Sequence, residues 1–220
     1  MCGRVLIGEN KEIERQGGVR RDTAPGKVSK TSTGNPGSLL PVVTDAEPTK
    51  IQYYRWGLLR VWDNEIHSRC KHARIETLQS VPSFKDLAGR KHCVTKVQGY
   101  FEFDKVNKQL YYITTADDSP LYIAGLWDIW LDVDTNVLIP TFTMITTNPD
   151  ETVGQIHDRM PVLLKRNQIS TWLNSKLSAT NRLEVLKQAE HIPLKICLAT
   201  EREVKREQPP KQQPPQPGFL

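Results

Sequence analysis

Three short stretches carry side chains that could do chemistry together, and the first is the amino terminus, Met1-Cys2-Gly3-Arg4. Loss of Met1 would leave Cys2 with a free α-amine and a thiol on one carbon framework. Such an amine condenses with an aldehyde to an imine, and the neighbouring thiolate can close onto the imine carbon to give a five-membered thiazolidine. Ordinary pKa values of about 8 for the amine and about 8.5 for the thiol leave both partly reactive near neutral pH. The plain alternative is a small residue that merely follows an initiator methionine. Imine formation also needs a group that protonates the departing hydroxyl and later takes a proton back, and one carboxyl poised between its two forms can do both. Glu102 is the candidate: it lies in Gly99-Tyr100-Phe101-Glu102-Phe103, an apolar setting that raises a carboxyl pKa if the side chain faces inward. Facing outward in an alternating strand, the same glutamate would be inert. His157 opens His157-Asp158-Arg159-Met160-Pro161 after an irregular stretch that begins at Asn148. It titrates near neutrality and can move protons, although a lone histidine is more often a solvated surface residue.

The elements that must hold these residues are mostly strands. Short β-branched or aromatic runs occur at Leu39 to Val43, Ile51 to Gly57, Lys91 to Val97, Tyr100 to Phe103, Gln109 to Thr114, Leu121 to Trp127 and Thr141 to Thr147. Turn residues such as Asp117-Asp118-Ser119-Pro120 and Asn148-Pro149-Asp150 bound several of them. Helical periodicity is confined to Ile75 to Val81, Gln168 to Asn174 and Asn181 to Glu190, the last with Leu183, Leu186 and Ala189 on one face. Strands that do not alternate with long helices disfavour a doubly wound parallel sheet. The expected fold is α+β, a single domain dominated by mixed or antiparallel β-sheet with a barrel-like core and a few peripheral helices.

Composition narrows the class. The 220 residues are 38% hydrophobic and include five tryptophans, enough for a packed core, and no apolar run reaches the ~18 residues of a membrane helix. No signal-peptide pattern opens the chain, which points to the cytosol, at the nucleoid if the source is bacterial. Cys2, Cys70, Cys93 and Cys197 form no CxxC pair, so neither a disulfide framework nor a zinc site is expected. A net charge of +5 suits a polyanionic partner without requiring one. Two segments read as irregular: residues 17–38, crowded with Gly, Pro, Ser, Thr and basic residues, and the Pro/Gln-rich stretch 201–220 that follows a domain over 1–200. The terminal Phe219-Leu220 gives that tail the look of a peptide that docks on another protein, for instance a replication-associated one, against the simpler reading of a disordered end.

Taken in order, Met1-Cys2-Gly3-Arg4, Trp56-Gly57-Leu58, Ala73-Arg74-Ile75-Glu76-Thr77 with Pro82-Ser83-Phe84-Lys85, Gly99-Tyr100-Phe101-Glu102-Phe103 and Ile156-His157-Asp158-Arg159-Met160-Pro161 resemble the motifs of the SOS-response-associated peptidase family of abasic-site-processing proteins. The resemblance runs from about Met1 to Trp172. It implies a monomeric domain that binds single-stranded DNA and crosslinks through its terminal cysteine to the ring-opened aldehyde of an abasic site, without a cofactor. Weak lyase activity and autoproteolytic release of Met1 go with it. The family's glutamate falls on Glu102 and its histidine on His157. Its usual asparagine, which helps hold the cysteine and the DNA backbone, is replaced by His72, an imidazole of different shape that can become cationic. Lys96 and Phe103 replace a common proline and tryptophan, and Lys96 adds a potential phosphate contact. Arg4, Arg74, Lys85 and Arg159 are the phosphate-binding candidates, and Trp62 is a candidate for base stacking. Arg159 could instead pair internally with Asp158. Backbone contacts carry no base code, so the lesion rather than the sequence would supply specificity.

Two other readings fit the same residues. Cys2 with His157 as base would make a peptidase that acts on other proteins, and a basic domain with an incidental cysteine would make a non-covalent single-stranded DNA-binding module.

Overall fold

The computed structural model describes residues 2–8, 20–21, 32–66, 69–187 and 192–199, with residues 20, 21 and 32 described by their backbone alone. Thirteen strands are described: β1 (Arg4–Ile7), β2 (Arg20–Arg21), β3 (Ser32–Gly34), β4 (Leu39–Thr44), β5 (Lys50–Trp56), β6 (His72–Arg74), β7 (His92–Val97), β8 (Gly99–Phe103), β9 (Leu110–Thr115), β10 (Leu121–Asp132), β11 (Val137–Thr147), β12 (Met160–Pro161) and β13 (Leu194–Leu198). Three α-helices lie among them, α1 (Pro82–Lys85), α2 (Arg166–Trp172) and α3 (Ala179–Lys187). This is the expected α+β class.

Neighbouring pairs β11-β10-β7-β4-β5 run in sequence, and a parallel pairing of β11 with β5, Thr141 opposite Arg55 and Phe142 opposite Trp56, closes them into a five-stranded barrel. A second sheet, β13-β9-β8-β1-β3, is antiparallel throughout. Its β8 and β1 are neighbours, which sets the strand carrying Glu102 beside the one that follows Cys2. Strand alternation then divides the interior. On β7, Cys93 and Val97 join Trp56, Phe142, Met144, Tyr100 and Cys2 in one core, while Val94 turns to the other face and meets Leu126, Trp172 and Leu186 beneath the helices. Each fully buried large apolar side chain contributes roughly 1.5–3 kcal/mol.

The helix layer is fastened by a buried ion pair, Arg182 on α3 to Asp45 at 2.5 Å. Asp45 also accepts from Trp127 Nε1 at 2.8 Å, and Arg182 Nε donates to the Trp172 carbonyl at 3.2 Å. His92 stacks on Trp172 with ring centroids 3.7 Å apart, its nitrogens facing the carbonyls of Trp172 and Ala88.

Several expected elements are revised. The runs at Leu121 and Thr141 continue into a longer hairpin, because the polar Asp132 and Asp134 sit at its tip and register pairs Trp130 with Ile139 and Leu131 with Leu138. A helix over Ile75 to Val81 does not form: a single 3₁₀ turn at Ile75–Thr77 is followed by Val81 in extended conformation, ψ 127°, before α1 begins at Pro82. Proline disfavours the helical conformation of the residue before it and suits the first helical position. The stretch 17–38 is not wholly irregular, since β2 pairs with β5 and β3 with β1. On α3 the buried residues are Arg182, Val185 and Leu186; Ala189 lies outside the described residues, as does the tail from 201.

Candidate active site

Strand alternation decides the orientation of the key carboxylate. On β8, Tyr100 and Glu102 point to one side and Phe101 and Phe103 to the other; Glu102 is 4% exposed and Phe103 58% exposed. Gly99 starts this strand because a Cβ there would lie 2.5 Å from the Ile113 carbonyl and the Tyr112 ring, so only glycine lets β9 approach so closely. Burial raises the Glu102 pKa above the ordinary carboxyl value, the direction that favours an acid/base role.

Cys2 precedes β1 and is itself buried, its Sγ 3.4 Å from the Arg4 carbonyl oxygen. Burial, with Glu102 next in effect, pushes the thiol well above its ordinary pKa, while Lys71 acts in the opposite sense. The sulfur is therefore a neutral thiol in the resting protein, not the partly ionised one expected of a solvated terminus. Cys2, Cys70, Cys93 and Cys197 are all free.

His157 follows a 3₁₀ turn, Val153–Gln155, and its Nε2 lies 3.7 Å from Glu102 Oε1. Its Nδ1 faces two groups with opposite demands, the Arg159 amide donating at 3.1 Å and Asp158 Oδ1 at 2.9 Å. Burial lowers the imidazole pKa and outweighs Asp158, whose charge is also drawn off by an ion pair with Lys105. With Nδ1 held between the Arg159 amide and Asp158, the ring presents Nε2 towards Glu102.

His72 on β6 lies opposite Met144 of β11, and its ring meets the edge of Trp56 at 5.9 Å. Trp56 is fixed in turn by its indole donating to the Lys71 carbonyl at 2.9 Å, and Gly57, at φ 121°, ends β5 beside it. The Cys2 carbonyl is close enough to favour protonated His72, yet burial and then Lys71 pull its pKa down to about 3. It is thus neutral at physiological pH, contrary to the expectation that it could turn cationic. Both its ring nitrogens are buried, and among the described residues neither makes a hydrogen bond of good geometry.

The structure therefore brings Cys2, His72, Glu102 and His157 together. Arg159 serves differently from a free phosphate ligand. It is buried, its guanidinium bonds both Glu76 carboxylate oxygens at 2.7 and 2.9 Å, and it donates to Asn148 Oδ1 and the Thr146 carbonyl. Its internal partner is Glu76 rather than Asp158, and that bond holds the Glu76 carboxyl below its usual range. The brace ties the His157 loop to β11. Arg4 is half-buried and donates to Asn35 Oδ1 at 3.2 Å, whereas Arg74 and Lys85 are exposed. Trp62 is half exposed with the Arg60 guanidinium 5.0 Å over its ring, so at most its other face is open to a base. Lys96 turns away: it shares the outer face of β7 with Val94 and lines a cavity of about 170 Å³ with Tyr122 and Ile169. Sequence reasoning overlooked Lys71, whose charge favours a Cys2 thiolate, and Glu76, although its motif contained it. Among the described residues no group of three His, Cys, Asp or Glu side chains is placed to hold a metal ion, and no helix is long and apolar enough to cross a membrane.

Known proteins resemble this chain in sequence and fold. The family model described as SOS response associated peptidase (SRAP) matches residues 1–205. The abasic site processing protein YoqW of Bacillus subtilis is 30% identical over 195 residues, covering 86% of this chain and 87% of its own. HMCES of Xenopus tropicalis, likewise named an abasic site processing protein, is 26% identical and covers 81% of this chain and 65% of its own length. A crystal structure of a Bacteroides thetaiotaomicron protein superposes with a TM-score of 0.80 at 25% identity, covering 94% of this chain and 95% of that one. With the family model spanning nearly its whole length, the chain belongs to the SOS response associated peptidase (SRAP) family.

Proposed function

We propose that this protein processes abasic sites in single-stranded DNA, and that once Met1 is removed Cys2 captures the lesion as a covalent thiazolidine. The observation that carries this reading is the meeting of Cys2 with an inward Glu102 and a neutral His157 whose Nε2 is 3.7 Å from the carboxylate. Relatives named abasic site processing proteins support the substrate. The Cys2 amine adds to the aldehyde of the ring-opened sugar; Glu102, acting in its acid form, gives its proton to the hydroxyl of the adduct, which leaves as water. The sulfur then bonds to the iminium carbon, the C=N pair returns to nitrogen, and the thiol proton passes to the Glu102 carboxylate. Amine, thiol and aldehyde thus become thiazolidine and one water by proton transfer alone. His157 supports these transfers and can protonate the sugar oxygen during ring opening. Elimination of the 3′ phosphate from the imine would give a minor lyase activity, and the same nucleophile and acid/base pair could release Met1. Arg4, Arg74 and Lys85 supply phosphate contacts, and Trp62 a stacking face.

The test is incubation of protein lacking Met1, verified by intact mass, with a single-stranded oligonucleotide that contains one abasic site. A heat-stable adduct is expected, absent with undamaged DNA and with Cys2→Ala. No adduct from the verified protein overturns the reading. Lesion-indifferent binding without an adduct would favour a binding module, and peptide cleavage without an adduct a peptidase.

A further inference from the structure

We propose that the Tyr100 hydroxyl is a hydrogen-bond donor kept for the Cys2 sulfur, engaged when the thiol loses its proton to close the thiazolidine ring. The inference rests on the crosslinking reading above and adds a catalytic residue to it. Tyr100 is 0% exposed, and among the described residues its hydroxyl has no hydrogen-bond partner. Buried hydroxyls are nearly always paired, and an orphan is a standing cost that a phenylalanine would avoid. Its position explains the orphan. Tyr100 shares the inward face of β8 with Glu102, lies opposite Val5 of β1, and packs in the same apolar core as Cys2.

The electrostatics agree with that placement. Burial first, then the negative charges that Cys2 and Glu102 would carry, drive the phenol pKa far up, so Tyr100 keeps its proton and acts only as a donor. A neutral thiol is a weak acceptor and a thiolate a strong one. The bond is therefore made as charge develops on sulfur and is nearly absent before, which is the condition for lowering a barrier rather than tightening the resting state. The balance is unchanged: sulfur bonds to the iminium carbon, the thiol proton goes to the Glu102 carboxylate, and the phenol retains its own.

The experiment compares wild type with Tyr100→Phe, both verified to begin at Cys2. Two readouts are taken: the rate of adduct formation on the abasic oligonucleotide, and, without DNA, the pH dependence of Cys2 alkylation by iodoacetamide, followed on the amino-terminal peptide by mass spectrometry. Groups that also act on the sulfur, Glu102 and Lys71, are unaltered. Expected are crosslinking about ten-fold slower, an alkylation midpoint about one pH unit higher, and a melting temperature unchanged or raised. Equal rates and midpoints in the two proteins overturn the proposal, and so does slower crosslinking accompanied by a lowered melting temperature, which marks a packing role. Should wild type form no adduct while the alkylation midpoint still shifts in Tyr100→Phe, the crosslinking reading falls and the Tyr100 to Cys2 contact stands.

Discussion

The two faces of the barrel each hold a buried polar cluster, and the clusters differ in how completely their groups are paired. Under the helices, Asp45 meets Arg182 and Trp127, Arg182 also bonds the Trp172 carbonyl, and the neutral His92 donates its one N–H to one of the two carbonyls that its nitrogens face. At the amino terminus, the hydroxyl of Tyr100 and both nitrogens of His72 are buried and make no well-formed hydrogen bond among the described residues, and Cys2 is a neutral thiol beside a carboxyl of raised pKa. A polar cluster that satisfies itself locks elements together. One that leaves donors and acceptors unmet is costly in the resting fold and gains when a substrate or a developing charge arrives. The contrast separates scaffold from site without reference to any relative.

The largest effects should fall on opposite readouts. Asp45→Ala leaves Arg182 buried and unpaired, so stability should drop by about 3–5 kcal/mol, read as a lower urea midpoint, while the folded fraction still crosslinks at the wild-type rate. Glu102→Gln keeps the shape but removes the proton carrier, so crosslinking should slow by roughly 10²–10³-fold with little change in that midpoint. Were Glu102→Gln to unfold the protein, or Asp45→Ala to spare it, the division between the faces would collapse.

His92 and His72 sharpen it. His92 is neutral because burial, reinforced by Arg182, outweighs its two carbonyl neighbours and brings its pKa to about 4. A histidine depressed below its unfolded value of about 6.5 stabilises the fold above that pH, and the contribution is lost as pH falls towards the folded pKa; here it amounts to at most about 3 kcal/mol. His72 acts in the same direction, and Glu102, shifted upward, opposes both. Denaturation midpoints should therefore decline between about pH 6.5 and 4. His92→Asn should flatten that decline and cost about 1–3 kcal/mol at pH 7 through the lost carbonyl bond and Trp172 stack. His72→Asn, which replaces a ring whose nitrogens make no well-formed hydrogen bond among the described residues, should leave stability at pH 7 unchanged or higher and retain crosslinking.

Much of this was legible in the sequence where a pattern spans five or more residues. β4, β5, β7, β8 and β9 lie within two residues of their expected bounds because β-branched or aromatic runs ending at turn residues mark them. β6 and β12, three and two residues long, are too short to show a period. They exist through pairing with β11, a long-range contact that local residues do not encode, and it is β6 that carries His72. Glu102 could be named as a candidate, but its inward orientation follows from β8 pairing with both β1 and β9. Arg159 illustrates the limit from the other side. A basic residue in a site loop suggested a phosphate, yet Glu76, 83 positions earlier, claims it.

That difference between Arg159 and Arg74 gives the smallest and most discriminating test. Arg74 is exposed at the end of β6, one position before the turn that carries Glu76. If it meets a phosphate, Arg74→Gln should weaken binding to single-stranded DNA of every sequence alike and lower the slope of log affinity against log salt by about 0.7, the counterion release of one contact on a single strand. Folding should be unaffected, since exposed substitutions away from packing cost little. Arg159→Met should do the reverse. It frees Glu76 and unties the His157 loop from β11, so stability and crosslinking should fall together while the salt slope holds, because a guanidinium already bound to a carboxylate releases no counterion from DNA. A shallower salt slope in Arg159→Met would mean that DNA competes Glu76 away, and the brace would then belong to the binding surface.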